Sequence, residues 1–148
     1  MEIQKVLKSD LEAVTRLVSE VSDKDVLPLF NEQGKQEYKD RVLPDLVTTF
    51  DHEKFSSVKA VSGGEVLGFA ALRDGNYLTH LFVANSQRGS GLGRALLNHL
   101  LNQTDAREVS LRSSVNAVEF YNRNGFVATG EEAEFNGIRF VPMSLVRT

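Results

Sequence analysis

The chain has 148 residues, 41% of them hydrophobic and 25% charged, which predicts one soluble domain covering 1–148. It has no cysteine, which excludes disulfides, thiolate nucleophiles and zinc–thiolate centres, and His52, His80 and His99 lie too far apart for a local metal motif. A net charge of −3 argues against a nucleic-acid-binding surface. The N-terminus lacks an apolar core and no apolar run approaches a membrane span, so the expectation is a cytoplasmic protein with no membrane partner.

Residues 2–7 predict a short strand. Ser9-Asp10-Leu11-Glu12 matches the capping box S-x-x-E, and Leu11, Val14, Leu17, Val18 and Val21 follow at helical spacing, so a first helix runs to about residue 22. Residues 23–34, with Pro28, read as a connection. A second helix is expected over about 35–43, ended or kinked by Pro44, with another turn or two over 44–50. A meander follows: strand 55–61, the turn Ser62-Gly63-Gly64-Glu65, strand 66–73, the turn Asp74-Gly75-Asn76, and strand 77–83.

That last strand ends Leu81-Phe82-Val83 and runs into a turn with glycines at alternate positions, Gly89, Gly91 and Gly93. From Leu92, the leucines at 92, 96, 97, 100 and 101 mark one face of a helix reaching about residue 103. A helix N-terminus carries unpaired N–H groups and a partial positive charge, and glycine lets backbone approach a phosphate closely. Arg88 and Arg94 flank the turn and can add charge-assisted hydrogen bonds, so the stretch reads as a pyrophosphate site. The dinucleotide fingerprint G-x-G-x-x-G fails: counted from Gly89 the third glycine falls at Arg94, and counted from Gly91 it falls at Leu96. The P-loop fails as well, since it would need glycine at Arg94 and lysine at Ala95. What remains is R-x-x-G-x-G, met by Arg88, Gly91 and Gly93 directly after a strand ending L-x-V.

Residues 108–112 alternate as a strand. In Ser113–Phe126, Ser114 can cap a short helix carrying Ala117, Phe120 and Tyr121. Gly125 fits the left-handed position after its end, with Phe126 packing back near Phe120. Phe135-Asn136-Gly137-Ile138 is a hairpin turn, and Pro142 in the strand after it requires a bulge or an unpaired side. The order β-α-α-β-β-β-α-β-α-β-β predicts an α/β (α+β) domain around a mixed sheet.

The loop at 88–93 resembles the acetyl-CoA signature of the GNAT family, the GCN5-related N-acetyltransferases. The second motif, A-x-x-F-Y-x-x-x-G-F at Ala117, Phe120, Tyr121, Gly125 and Phe126, resembles the same family, as does the element order. The resemblance implies a mostly antiparallel sheet of about seven strands with about four helices, and acetyl transfer from acetyl-CoA to a primary amine of a small molecule or protein. It further implies that the pantetheine arm lies between splayed strands beside Leu81, Phe82 and Val83. The pyrophosphate would rest on Gly89, Ser90, Gly91, Leu92, Gly93 and Arg94 with Arg88 nearby, and Ser114 and Asn116 would join the cofactor site. Tyr121 takes the place of the family's tyrosine acid, within reach of the leaving thiolate. No metal is implied.

The base is not legible in the same way. Aligned through Leu81 and Val83, the positions where some members carry glutamate or histidine are Tyr77 and Thr79. His80 is adjacent, with an ordinary pKa near 6.5, although strict alternation turns it to the opposite face from both. Either His80 or a water chain takes the amine proton. Residues 22–50 and the C-terminal hairpin would frame the acceptor. Glu131, Glu132 and Glu134 either attract a cation there or form a solvated strand pair. Lacking an evident base, the chain also fits a non-catalytic acyl-CoA sensor. Sheets of this kind often pair at their edges between subunits, so a homodimer is among the expectations.

Overall fold

The computed structural model describes residues 1–147. Strand β1 (Glu2–Lys5) is shorter than predicted; Val6, just past its end, is fully buried and still donates its N–H to the Ser57 carbonyl. The chain then makes a 3₁₀ turn, and Asp10, not Ser9, closes it: the carboxylate accepts the Leu7 N–H at 2.7 Å and the Lys59 ammonium at 2.8 Å. Helix α1 (Leu11–Asp25) runs three residues past the predicted end, and Val14, Leu17, Val18 and Val21 are buried as their spacing requires.

Helix α2 (Glu32–Thr48) departs more from expectation. It starts earlier because the Asn31 side chain caps it, accepting the Gly34 N–H at 2.8 Å. It also continues through Pro44 instead of ending there. Pro44 and Asp40 are both exposed, so the carbonyl that proline leaves without a donor faces water, while Leu46 beyond is fully buried and holds the last turns to the core.

The meander forms as read, β2 (Phe55–Ser62), β3 (Glu65–Arg73) and β4 (Tyr77–Val83), followed by α3 (Leu92–Leu101), β5 (Glu108–Ser113) and α4 (Val118–Arg123). A two-residue strand that the sequence did not suggest, β6 (Val127–Ala128), precedes the hairpin of β7 (Ala133–Phe135) and β8 (Ile138–Val146). The sheet order is β1-β2-β3-β4-β5-β8-β6, with β7 on β8, and only β4–β5 is parallel. This is the mixed, mostly antiparallel sheet and four helices that were predicted, with eight strands where about seven were expected. Pro142 sits in unbroken register opposite Arg112, at the break between the β6 and β7 pairings, where its carbonyl accepts the Thr129 N–H.

Helices cover both faces. On one, Leu96, Leu97 and Leu100 of α3 pack with Val109, Leu111, Phe126 and Met143. On the other, Val14 and Val18 of α1 and Leu46 of α2 pack on Phe69 and Ala71.

Two glycines join the layers. A β-carbon on Gly34 would run into the Gly137 carbonyl and come within 2.9 Å of Phe30 Cβ, so the first turn of α2 lies directly against the β7–β8 turn. Asn136 and Gly137 have φ of +50° and +86°, the backbone that an Asn-Gly turn favours. Gly34→Ala should therefore lower thermal stability, by about 1–3 kcal/mol for a clash that the core must absorb. In an uncrowded helix the same change would stabilise by up to about 1 kcal/mol. A rise in the melting temperature would mean that the two backbones are not in contact.

Candidate active site

Strands β4 and β5 pair only at Tyr77–Ser110 and Leu78–Leu111. Beyond those pairs they part, while β4 stays bonded to β3 as far as Val83. The edge of residues 79–83 that faces β5 is thus left without a strand partner inside the sheet, where unpaired N–H and C=O groups call for a ligand or water. The gap opens into a cleft of about 1180 Å³ that runs from the glycine loop to α2 and the β7–β8 hairpin.

At one end lies the N-terminus of α3. Gly89 and Gly91 have φ of +75° and +84°, and no atom lies within 4 Å of where a β-carbon would stand on either. Their open side is the cradle that an anion requires. Gly93 is a glycine for another reason: its β-carbon position meets the Phe120 ring at 3.4 Å, which seats α4 on α3. The Gly93 and Arg94 N–H groups lie in the first turn and have no intrahelical acceptor. Leu92 N–H instead donates to Ser90 Oγ at 3.3 Å, and its side chain is buried in the core.

Of the residues singled out from sequence, His80, Leu81, Phe82, Val83, Arg88, Gly89, Gly91, Leu92, Gly93, Arg94, Ser114, Asn116 and Tyr121 all line this one cleft. Ser90 does not; its hydroxyl turns back to donate to the Gln87 carbonyl at 2.6 Å. Arg88 pairs with Asp25 at the end of α1, whose carbonyl also accepts the Asn116 amide at 3.1 Å, so the loop is tied to the opposite wall. Ser114 does not cap α4; its hydroxyl donates to Asn116 Oδ1 at 2.7 Å, and the helix starts one turn later.

The far end of α4 is built as predicted. Gly125 has φ +92°, its N–H donates to the Asn122 carbonyl, and Phe126 N–H donates to the Tyr121 carbonyl, two bonds that close a Schellman motif. Phe126 packs on Tyr121, at 5.7 Å between ring centroids, and not on Phe120. The Tyr121 ring is 8% exposed, and burial pushes its phenol well above the ordinary value with no hydrogen bond opposing the shift.

His80 departs from simple alternation. The β3–β4 register slips between Ala71 and Leu72, leaving Thr79 as a bulge, so His80 stands opposite Ala71 while Tyr77 stands opposite Arg73. Both therefore point to the α1–α2 face. The imidazole lies 5.8 Å from the Phe69 ring and 6.1 Å from that of Phe82, with Nδ1 2.8 Å from Thr79 Oγ1, and burial lowers its pKa to about 4.

The sequence did not single out the other end of the cleft. Tyr38, whose hydroxyl lies 2.6 Å from Ser22 Oγ, and Arg41 and Asp45 of α2 reach it, as do Arg73, Arg112 and Phe140 from the sheet. Partial burial raises the Asp45 pKa, with Arg41 opposing. For Tyr38, Arg41, Asp45 and Phe140 the only signal in the sequence was their position in the segments expected to frame the acceptor, and Arg73 and Arg112 lie outside those segments. Glu131, Glu132 and Glu134 stay out of the cleft and exposed, and Glu132 pairs with Arg139 at 2.9 Å, which is the solvated strand pair.

Residues 26–147 match the family model described as an acetyltransferase (GNAT) domain. The chain belongs to the GNAT family. Among solved GNAT structures, it resembles a GCN5-related N-acetyltransferase from Rhodopseudomonas palustris at a TM-score of 0.81 and 18% identity, covering 98% of this chain and 94% of that one. A PaiA N-acetyltransferase from Thermoplasma acidophilum, solved in complex with coenzyme A, aligns at 0.75 and 19% identity over 98% of both chains. At these identities the likeness is one of fold. A curated relative, the 5-NmdU N-acetyltransferase of Pseudomonas phage PaMx11, is 31% identical over 83 residues, 51% of this chain and 59% of that protein. No helix among the described residues is long and apolar enough to cross a membrane.

The loop geometry yields a test. Gly91→Glu sets a carboxylate in the cradle and forces a left-handed backbone; Gly91→Ala imposes the same strain, about 1–2 kcal/mol, without the charge. Calorimetry should show acetyl-CoA binding weakened at least tenfold more by glutamate than by alanine, at similar melting temperatures. Equal affinities would remove the loop from the anion site.

Proposed function

We propose that this chain transfers an acetyl group from acetyl-CoA to a primary amine of a small molecule or protein, by direct attack on the thioester. The observation that carries the reading is Tyr121: a buried ring, locked by a closed helix end, that lines the same cleft as the β4–β5 gap and the glycine loop. The gap and cradle suit a long thiol ester with a pyrophosphate, and acetyl-CoA supplies the activated acyl group.

The residues then have separable roles. The Gly93 and Arg94 N–H groups hold the pyrophosphate, with the Arg94 side chain beside it. Unpaired N–H groups along residues 79–83 face the carbonyl where negative charge develops. As the amine nitrogen bonds to the carbonyl carbon, the C–S bond breaks and the electron pair leaves on sulfur. Tyr121 donates a hydrogen bond to that sulfur. Full transfer from so weak a phenol to a thiolate of ordinary pKa near 8.5 is uphill, so the bond works by strengthening as charge grows. The amine proton passes to water. With a pKa near 4, His80 is neutral at pH 7 and a poor acceptor for it. The phage relative, a 5-NmdU N-acetyltransferase, supports an amine acceptor. With His80 neutral and the amine proton passing to water, the site equally suits a sensor that binds acyl-CoA without turnover; release of CoA thiol across a panel of amines separates the two readings.

Tyr121→Phe should lower turnover by roughly ten- to a hundredfold and leave acetyl-CoA affinity nearly unchanged. Because burial keeps the wild-type phenol protonated, this ratio should stay constant up to about pH 10. Equal turnover of the two proteins would reduce Tyr121 to packing.

His80→Gln should cost less than tenfold and leave the acid limb of the pH–rate profile in place, since a group titrating near 4 cannot set a limb at neutral pH. Loss of that limb would make the histidine the base.

A further inference from the structure

The cleft differs in charge from the protein that contains it. The chain has a net charge of −3, yet seven arginines and only two carboxylates, Asp25 and Asp45, line the cleft. Some of this positive charge belongs with the glycine loop. Arg73 and Arg112 do not: they stand at the opposite end, on the face of the sheet turned toward α1 and α2.

Their placement follows from register. Arg73 pairs with Tyr77, Tyr77 pairs with Ser110 across the parallel ladder, and Arg112 lies two residues further on, on the same face as Ser110. That makes Arg112 the first residue of β5 beyond the last β4–β5 pair, where the gap begins. Each guanidinium lies over an aromatic ring, Arg73 at 4.8 Å from the Tyr77 centroid and Arg112 at 4.5 Å from that of Phe140. Six other basic side chains, Arg41 and Arg139 of this same cleft among them, form ion pairs. Among the described residues Arg73 and Arg112 form none. A ring beneath a guanidinium fixes its plane while leaving the N–H edge available to an oxyanion.

We infer that the acceptor is an amine that also carries an anionic group, a carboxylate or a phosphate, and that Arg73 and Arg112 bind that group beside the mouth of the β4–β5 gap. This inference rests on the acetyltransferase reading and supplies its substrate class. Holding the anion at the start of the gap leaves the amine of a short molecule free to enter it. The excess of arginine repels a polyamine, which would carry charge of the same sign.

The test is a panel of matched amines assayed by CoA thiol release: amino acids against their decarboxylated amines, aminoalkyl phosphates against the corresponding amino alcohols, and a polyamine. The anionic member of at least one pair should show kcat/KM at least tenfold above its neutral partner, and the arm that shows it distinguishes carboxylate from phosphate. In the double variant Arg73→Gln, Arg112→Gln that ratio should fall toward one, mainly through KM, with Arg→Lys at each position restoring part of it. A preference for neutral amines or the polyamine, or a ratio unchanged in the double variant, would overturn the inference.

Should acetyl-CoA bind but no amine be acetylated, the transferase reading fails and the anion site is read separately. With the protein saturated in CoA to fill the loop, inorganic phosphate and acetate are titrated while the Arg73 and Arg112 Nε–H resonances are followed. A saturable shift of both, absent in the double variant, supports the site, and no saturable shift overturns it.

Discussion

The parting of β4 from β5 after two residue pairs is the constraint on which the rest of the structure depends. A sheet interior normally satisfies both edges of every strand, and an unpaired stretch there is costly unless something else fills the gap. Here the elements around the gap hold it open. Helix α3 begins where β4 ends, Gly93 admits the Phe120 ring of α4, and the Tyr121 and Phe126 rings pack behind it. The Arg88–Asp25 pair and the Asn116 amide tie the loop and the start of α4 to the end of α1 across the cleft. Closing the gap would require several packed elements to move together.

The same parting separates the two kinds of recognition. The glycine loop offers backbone N–H groups and helix polarity, which suit a phosphate of any compound that reaches it. The opposite end offers side chains from α2, the sheet face and the β7–β8 hairpin, and the Gly34–Gly137 contact fixes that hairpin against α2. A backbone device and a side-chain surface thus meet at the point where the strands separate. The Thr79 bulge belongs to this junction as well: it returns His80 to the Tyr77 face and lets the last residues of β4 continue with Leu81 and Val83 toward α3.

Much of this was legible in the sequence because it depends on local rules. Alternate glycines before a leucine-striped helix, a helix closed by Gly125, and an Asn-Gly turn each specify their own backbone, and all three form where they were read. The misreadings arose where tertiary packing outweighed a local signal. Pro44 did not end α2 because its exposed position leaves the orphaned carbonyl to water while Leu46 is anchored in the core. Ser9 and Ser114 look like caps, but Ser9 lies inside a 3₁₀ turn that Asp10 closes through the Leu7 N–H, and α4 starts one turn beyond Ser114. The face of His80 was misjudged because a bulge inserts one residue without leaving a mark in the sequence. The stacking of Arg73 and Arg112 joins residues from four strands, β3, β4, β5 and β8, so no spacing along the chain could reveal it.

The most direct test of the account is a crystal structure with a non-hydrolysable acetyl-CoA analogue. It should show the pantetheine arm between β4 and β5, the pyrophosphate on the Gly93 and Arg94 N–H groups, and the analogue's thioester-sulfur position within about 3.5–4 Å of Tyr121 Oη. A ligand bound elsewhere in the cleft with the gap still empty, or a sulfur position beyond the reach of Tyr121, would contradict it.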